Sequence, residues 1–272
     1  MKYTIDDFRK DYPNNSTCLE AIFNKNYSDA EGYYRVRDRM CYSHKTTRHQ
    51  IYPLAGTIFE KTSTPLVLWF HAIYLFSASK NGVSAKELQR QLGVTYKCAW
   101  RMGHQIRKLM EQDTDPLKGT VEVDETYFGR RGVNAEKFKV KAALIGAVER
   151  NGRIRVKKIP NRRAEIVLPF VKENVERGTR VMTDEYRAYD KLSYSAYGYE
   201  HRNVKHGKLH YKLGEAHTNT IEGFWGQLKR SIRGTYHFVS SQHLQAYVDE
   251  FAYRYNHRDN SKPIFLELIG RA

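Results

Sequence analysis

Val121-Glu122-Val123-Asp124-Glu125-Thr126-Tyr127-Phe128-Gly129 is the stretch on which the reading of this chain turns. Val121 and Val123 alternate with Glu122 and Asp124, the period of a half-buried β-strand. Gly129 supplies the turn that follows. A carboxylate carried at a strand end beside a glycine turn faces out at the sheet edge, so Asp124 is available for chemistry. Two neighbours compete with it. Glu122 shares the face of Asp124 but lies one pleat deeper, and Glu125 points to the opposite face. Neither is expected to take part.

Downstream, Ala142 to Val148 is an apolar run and Ile154 and Val156 alternate with Arg and Lys. A helical stretch from about Arg163 to Val175 is interrupted by Pro169, and Arg180 to Asp184 reads as a fourth strand. Three strands, a crossover helix and a further strand form a mixed α/β sheet. Asp184, after the apolar pair Val181-Met182, is a second carboxylate at a strand end. It is preferred to Glu185 because its shorter side chain holds a cation with less freedom. Further on, Ile221, Trp225, Leu228 and Ile232 recur at helical spacing and form a core stripe. Glu222, Gly226, Lys229 and Arg233 repeat that spacing one residue on. They put a third carboxylate, a small residue permitting close approach and two cations along one helix edge.

Three carboxylates gathered in this way suit hard divalent cations. A pair of such ions about 4 Å apart clamps the attacking and leaving oxygens of a phosphoryl transfer. The charge balance says which phosphodiester is meant. Lys and Arg outnumber Asp and Glu by 46 to 30, a formal charge of +16 with a pI near 9.6, and an excess of that size draws the chain to nucleic acid. Cys18, Cys41 and Cys98 include no close pair, which argues against a disulfide framework and fits a reducing compartment. The first residues lack the apolar stretch of a secretory signal. The longest apolar run, Leu66 to Phe76, contains His71 and is too short to span a bilayer. A soluble, cytoplasmic protein without a membrane partner is expected.

Upstream of the polar linker Asp113 to Lys118 the pattern is helical from about 62 to 112. Thr64-Pro65 is a helix start, Asn81-Gly82 a break, Ser84-Ala85-Lys86-Glu87 a capping box and Gly93 a tight turn. A further helix from about Thr95 to Met110 turns Ala99, Met102, Ile106 and Leu109 inward and leaves Tyr96, Lys97, Arg101, His104, Gln105 and Lys108 outside. Two helices around a glycine turn with a basic outer face are the layout of a helix-turn-helix DNA reader, with Tyr96, Lys97, Arg101 and Gln105 as its contacts. An ordinary helical hairpin with a solvated face fits the same pattern. Residues 1 to about 60 are tyrosine-rich and poorly periodic; Tyr33 to Tyr52 is expected to form short strands with a turn around Ser43–Thr47. The loop after Gly129 (Arg130, Arg131, Lys137, Lys139, Lys141) suits phosphate contacts. His201, His206, His210, His217 and His237 do not have the spacing of a zinc site. His217 and His237 are candidates for contacting DNA or assisting proton transfer.

From Gly56 to about Arg258 the chain resembles a transposase of the bacterial insertion-sequence class related to the eukaryotic Merlin elements. The similar stretches are G-T-I-F-E-K-T (56–62), S-A-K-E-L-Q-R-Q-L-G-V-T-Y-K-C-A-W-R-M (84–102), V-E-V-D-E-T-Y-F-G (121–129), T-D-E-Y-R-A-Y (183–189), H-T-N-T-I-E-G-F-W-G-Q-L-K-R-S-I-R-G-T-Y-H (217–237) and Y-R-Y-N-H-R (253–258). The resemblance implies a "DDE" catalytic domain of ribonuclease H-like fold over 118–272, a mixed sheet flanked by helices, preceded by the helix-turn-helix over 61–112. It implies Asp124, Asp184 and Glu222 as ligands of two Mg²⁺ ions, with Mn²⁺ as a substitute, and Lys229 as the DNA-contacting lysine, with Arg230 and Arg233 beside it. It also implies binding of double-stranded DNA, at terminal inverted repeats and at a target, by a homodimer or higher multimer. The ions then activate water to cut the element's ends and the freed 3′-hydroxyl to attack the target, so no nucleophilic Ser or Tyr is assigned.

One departure stands out. Such proteins usually begin with a zinc ribbon carrying two Cys-x-x-Cys pairs. Here His44 and Thr47 fall where the second pair would be, Cys41 is nearby, and the first pair has no counterpart. Residues 1–60 are therefore expected to be a degenerate zinc-ribbon-like segment without structural zinc, held by its tyrosines. Two rival functions share the pattern. One is a ribonuclease H-like nuclease or resolvase that cuts without joining. The other is a catalytically silent, transposase-derived DNA-binding regulator.

Overall fold

The computed structural model of the chain describes residues 3–129, 142–203 and 217–272. Its contacts divide it into two units, Met1–Met110 with Asp259–Ala272, and Glu111–Arg258.

The first unit opens with α1 (Ile5–Asp11) and α2 (Asn15–Asn26), helices that the weak periodicity of this region does not announce. Their caps explain where they start. The Thr4 hydroxyl accepts from the Asp7 backbone N–H while the Asp7 carboxylate accepts from that of Thr4, and Asn14 accepts from Ser16 and Thr17. Three short antiparallel strands follow, β1 (Tyr33–Arg35), β2 (Tyr42–His44) and β3 (Gln50–Ile51). Aromatic packing seats them. The Tyr42 ring stacks on Phe23 of α2 at 3.7 Å, and the Tyr33 hydroxyl lies 2.8 Å from His49 Nδ1. Next come α3 (Leu66–Ala78), α4 (Ala85–Leu92) and α5 (Tyr96–Lys108). Gly93 ends α4 at φ 66°, a left-handed conformation that glycine adopts without strain. Only half of the expected capping box forms at α4. Ser84 accepts from Glu87 N–H, but the Glu87 carboxylate turns forward to Arg90 and Gln91. On α5, Ala99, Met102 and Ile106 are buried, as is Leu109 just after it, and Tyr96, Lys97 and Arg101 are exposed.

In the second unit, β4 (Thr120–Phe128), β5 (Ala142–Glu149) and β6 (Ile154–Ile159) run antiparallel to one another. After α6 (Ala164–Asn174), β7 (Arg180–Thr183) returns parallel to β4, and β8 (Glu200–Asn203), absent from the pattern, adds parallel to β7. The sheet order is β6-β5-β4-β7-β8, consistent with a ribonuclease H-like domain. The expected interruption at Pro169 does not occur. Proline lies on the exposed side of α6, where the carbonyl it leaves without a partner meets water. Two helices complete this unit, α7 (Asn219–Ser231) and α8 (Leu244–Asn256).

Each face of the sheet has its own core. Val121, Val123, Ile145 and Ala147 pack with Val167 and Val171 of α6 and with Tyr189 on one side. Leu144, Val148 and Val156 pack with Ile221, Trp225 and Leu228 of α7 and Val248 and Phe251 of α8 on the other. At about 1.5–3 kcal/mol per fully buried large apolar side chain, these two layers dominate the unit's stability. A second domain running to residue 272 is what the motifs suggest, yet Asp259–Ala272 packs with the first unit. Its helix α9 (Ile264–Arg271) sets Phe265 among the rings of Tyr3, Phe8 and Tyr12.

Candidate active site

Side chains alternate along β4, so Glu122, Asp124 and Thr126 lie on the face that α7 covers and Glu125 and Tyr127 on the face of α6. Asp124 is not at the strand's end. β5 pairs with β4 along its length, with Asp124 opposite Gly146. What opens the edge is β7, whose parallel pairing with β4 stops at Glu122 and Met182. Asp184, the residue after β7, continues that register towards Asp124. Its Oδ1 accepts from Tyr186 N–H at 3.0 Å, a local turn that fixes the carboxylate. Glu185 beside it points to solvent. Glu222 occupies the exposed edge of α7 and accepts from the Thr218 hydroxyl at 2.9 Å.

Asp124 senses the other two acids. Burial pushes the Asp124 carboxyl up to about 6, and the charges of Asp184 and Glu222 push the same way, against hydrogen bonds from the Glu125 backbone and Trp225. The Trp225 indole Nε1 donates to Asp124 Oδ2 at 3.1 Å. Its ring lies over Gly146, where an added Cβ would come within 2.8 Å of Trp225 Cζ2 and 2.9 Å of Ile221 Cδ1. Close approach is therefore a property of Gly146. Gly226, to which the sequence pattern assigns it, faces only the flexible guanidinium of Arg230. Lys229 donates to the Thr126 hydroxyl. Burial and Arg233 lower its pKa, and Asp124 raises it.

Glu122, a bystander by its depth, is the anchor of α7. It is fully buried and accepts from Thr220 N–H (2.8 Å), Ile221 N–H (3.1 Å), the Thr220 hydroxyl (2.9 Å) and Arg150 Nε (2.9 Å). A carboxylate here meets the unpaired donors and the positive end of the helix dipole. Arg150 also donates to the His217 carbonyl at 2.9 Å. His217 Nδ1 lies 3.2 Å from Glu122 Oε1 but out of line for a hydrogen bond. On the other face Glu125 accepts from the Tyr189 hydroxyl at 2.7 Å, and burial pushes its carboxyl up to about 7.

The remaining expected contacts are dispersed. Arg230, Arg233 and His237 are exposed at and beyond the C-terminal end of α7. His237 Nδ1 is 3.2 Å from the Arg233 carbonyl. Tyr96, Lys97, Arg101 and Gln105 lie on α5 of the first unit. Arg130, Arg131, Lys137, Lys139 and Lys141 fall outside the described residues, as do His206 and His210. Among the described residues no three carboxylate, imidazole or thiol groups form a ready-made metal cage. The donors that Asp124, Asp184 and Glu222 present are nonetheless all carboxylate oxygens, the set that hard divalent cations take. A cation would relieve the repulsion acting on Asp124.

A sequence model of the ISXO2-like transposase domain matches residues 116–256, a little over half of the chain. An uncharacterized protein in transposable element ISH50 of Halobacterium salinarum is 27% identical over 244 residues, covering 82% of this chain and 80% of its own length. An uncharacterized transposase-like protein of Haemophilus influenzae is 28% identical over 101 residues, which is 37% of this chain and 79% of its own. The matched segment holds the whole five-stranded sheet, α7 and all three acids, and the chain belongs to the ISXO2-like family of insertion-sequence transposases.

Proposed function

We propose that the protein is a DNA transposase that cuts the ends of its mobile element and joins them to target DNA at Asp124, Asp184 and Glu222. The observation that carries this reading is the delivery of three carboxylates to one region of the sheet by three elements, β4, the end of β7 and α7, with Lys229 beside Asp124. Those acids would hold two divalent cations of the Mg²⁺ kind, with Mn²⁺ as a substitute, which activate the attacking oxygen and stabilise the leaving one.

The chain's own part is orientation. Trp225 fixes Asp124, Thr218 fixes Glu222, and the Tyr186 N–H fixes Asp184. Lys229 supplies positive charge where a phosphate of the cut strand would lie, and Arg230 and Arg233 extend that charge along α7. The exposed basic side of α5, after the left-handed turn at Gly93, supports a helix-turn-helix that reads terminal inverted repeats through Tyr96, Lys97, Arg101 and Gln105. The N-terminal strands are a ribbon that needs no zinc. Cys41 is buried, and His44 Nδ1 already accepts from the backbone of Thr46 and Thr47. Two ends must be cut and joined together, so a homodimer or higher multimer on DNA is the working form.

The test is strand transfer in Mg²⁺ or Mn²⁺ with labelled duplexes taken from the DNA flanking the gene. Joined products should form with the wild type and vanish with both Asp124→Asn and Glu222→Gln. Cleavage without joining would point instead to a nuclease. Tight binding with neither reaction would leave a DNA-binding regulator.

A further inference from the structure

Between β6 and α6 lies an arginine that the acids' own motifs hold in place. The Arg162 guanidinium is 5.0 Å from the ring centre of Tyr127 and 5.0 Å from that of Tyr186. Tyr127 follows Asp124 on β4. Tyr186 follows Asp184 and gives that carboxylate its backbone N–H. The Tyr186 ring packs edge-on against Tyr189 at 6.3 Å, and the buried Tyr189 donates to Glu125. A chain of contacts thus runs from the guanidinium through Tyr186 and Tyr189 back to Glu125 on β4, beside the direct contact with Tyr127.

That arrangement is more than is needed to park a surface arginine. Among the described residues Arg162 makes no ion pair, and Glu125, whose charge it feels, is engaged by Tyr189. A guanidinium stacked on aromatic rings keeps its N–H fork directed outward and loses little freedom when it takes a phosphate in a two-pronged contact. Its placement is complementary to that of Lys229. Lys229 meets β4 at Thr126 on the α7 face, and Arg162 meets it at the next residue, Tyr127, on the α6 face. The two cations therefore stand on opposite sides of the sheet edge that carries Asp124.

We infer that Arg162, held between Tyr127 and Tyr186, is a second phosphate-binding position, which takes a DNA backbone phosphate on the side of the acids away from Lys229. The inference rests on the transposase reading and assigns a function to two tyrosine rings that the reading leaves unused.

The test measures how binding of a flanking-DNA duplex to the full chain depends on salt. Arg162→Ala should lower the slope of log affinity against log salt by about 1, the loss of one phosphate contact. Arg162→Lys keeps the charge and should keep the slope, which separates a lost contact from a damaged fold. Arg163→Ala is the neighbouring control, because that exposed side chain pairs with Glu165 at 3.7 Å; it should leave the slope at the wild-type value. A wild-type slope in Arg162→Ala, or an equal drop in Arg163→Ala, would overturn the inference while leaving the transposase reading intact. A wild-type chain that binds no flanking DNA would sink both.

Discussion

The Trp225 indole reaches Asp124 from α7 only because the residue paired with Asp124 across β4 and β5 has no side chain. That residue is Gly146. Gly146→Ala would drive a methyl into the indole and the Ile221 side chain. We expect a loss of about 1–3 kcal/mol in urea unfolding, with a parallel fall in joined product. Trp225→Phe keeps most of the packing and deletes the donor, so it should depress strand transfer more than it depresses stability. Equal losses in both would mean that the indole merely fills space.

Glu122→Gln should be among the most damaging single changes away from the three acids. It leaves Arg150 beside a neutral group and weakens the hold on α7, a change of the kind that costs about 3–5 kcal/mol. The pair is coupled, so Arg150→Met should cost far less in a Glu122→Gln background than in the wild type. A double-mutant cycle by chemical unfolding reads this directly, and strictly additive losses would contradict it.

Lys229→Ala removes a cation whose partner is an uncharged hydroxyl. Joined product should fall about tenfold or more, as expected for a charged contact of about 1.5–3 kcal/mol. The unfolding midpoint should move little. Thr126→Val, which frees the ammonium without deleting it, should retain far more activity. If the two variants lose activity equally, the lysine matters only through its bond to Thr126.

Asp249 on α8 gives a pH signature of its own. Burial raises its pKa, against bonds from the Gln112 (2.6 Å) and Gln245 (2.7 Å) side chains. The folded chain therefore holds this proton more tightly than the unfolded one. The stabilisation this brings is complete below the unfolded carboxylate pKa of about 4, and it is lost as pH rises through the raised folded value. Asp249→Asn abolishes the titration and keeps an oxygen for both amides. Thermal midpoints should favour the variant at neutral pH and converge with the wild type near pH 3; a constant gap across that range would refute the assignment.

The strands and helices that carry the acids were legible because each obeys a local period. The alternation of Val121 and Val123, and the stripe Ile221, Trp225, Leu228 and Ile232, locate Asp124 and Glu222 without further information. The role of Glu122 was not legible, because its partners lie 98 and 99 residues away and no local pattern links a strand carboxylate to a distant helix start. The setting of Asp124 was read from the glycine turn after it, whereas the edge opens because β7 is short. Gly146 was hidden in a uniformly apolar strand, where one missing side chain leaves the period unchanged. The helices α1 and α2 did have signals, in the capping pair Thr4 and Asp7, in Asn14, and in the spacing of Cys18, Leu19, Ile22 and Phe23. The density of tyrosine and polar residues around them obscured those signals.

The anchoring of α7 by Glu122 also bears on the order in which this unit is completed. A ribosome-bound chain that has emerged only as far as β8 already carries Asp124 and Asp184. Its Glu122 and Arg150 face no helix, and its third acid has not yet emerged. Completing the sheet's helical cover and completing the set of acids are one event late in synthesis. A chain cut short before α7 is therefore expected to lack both the helical cover of this face and the third carboxylate.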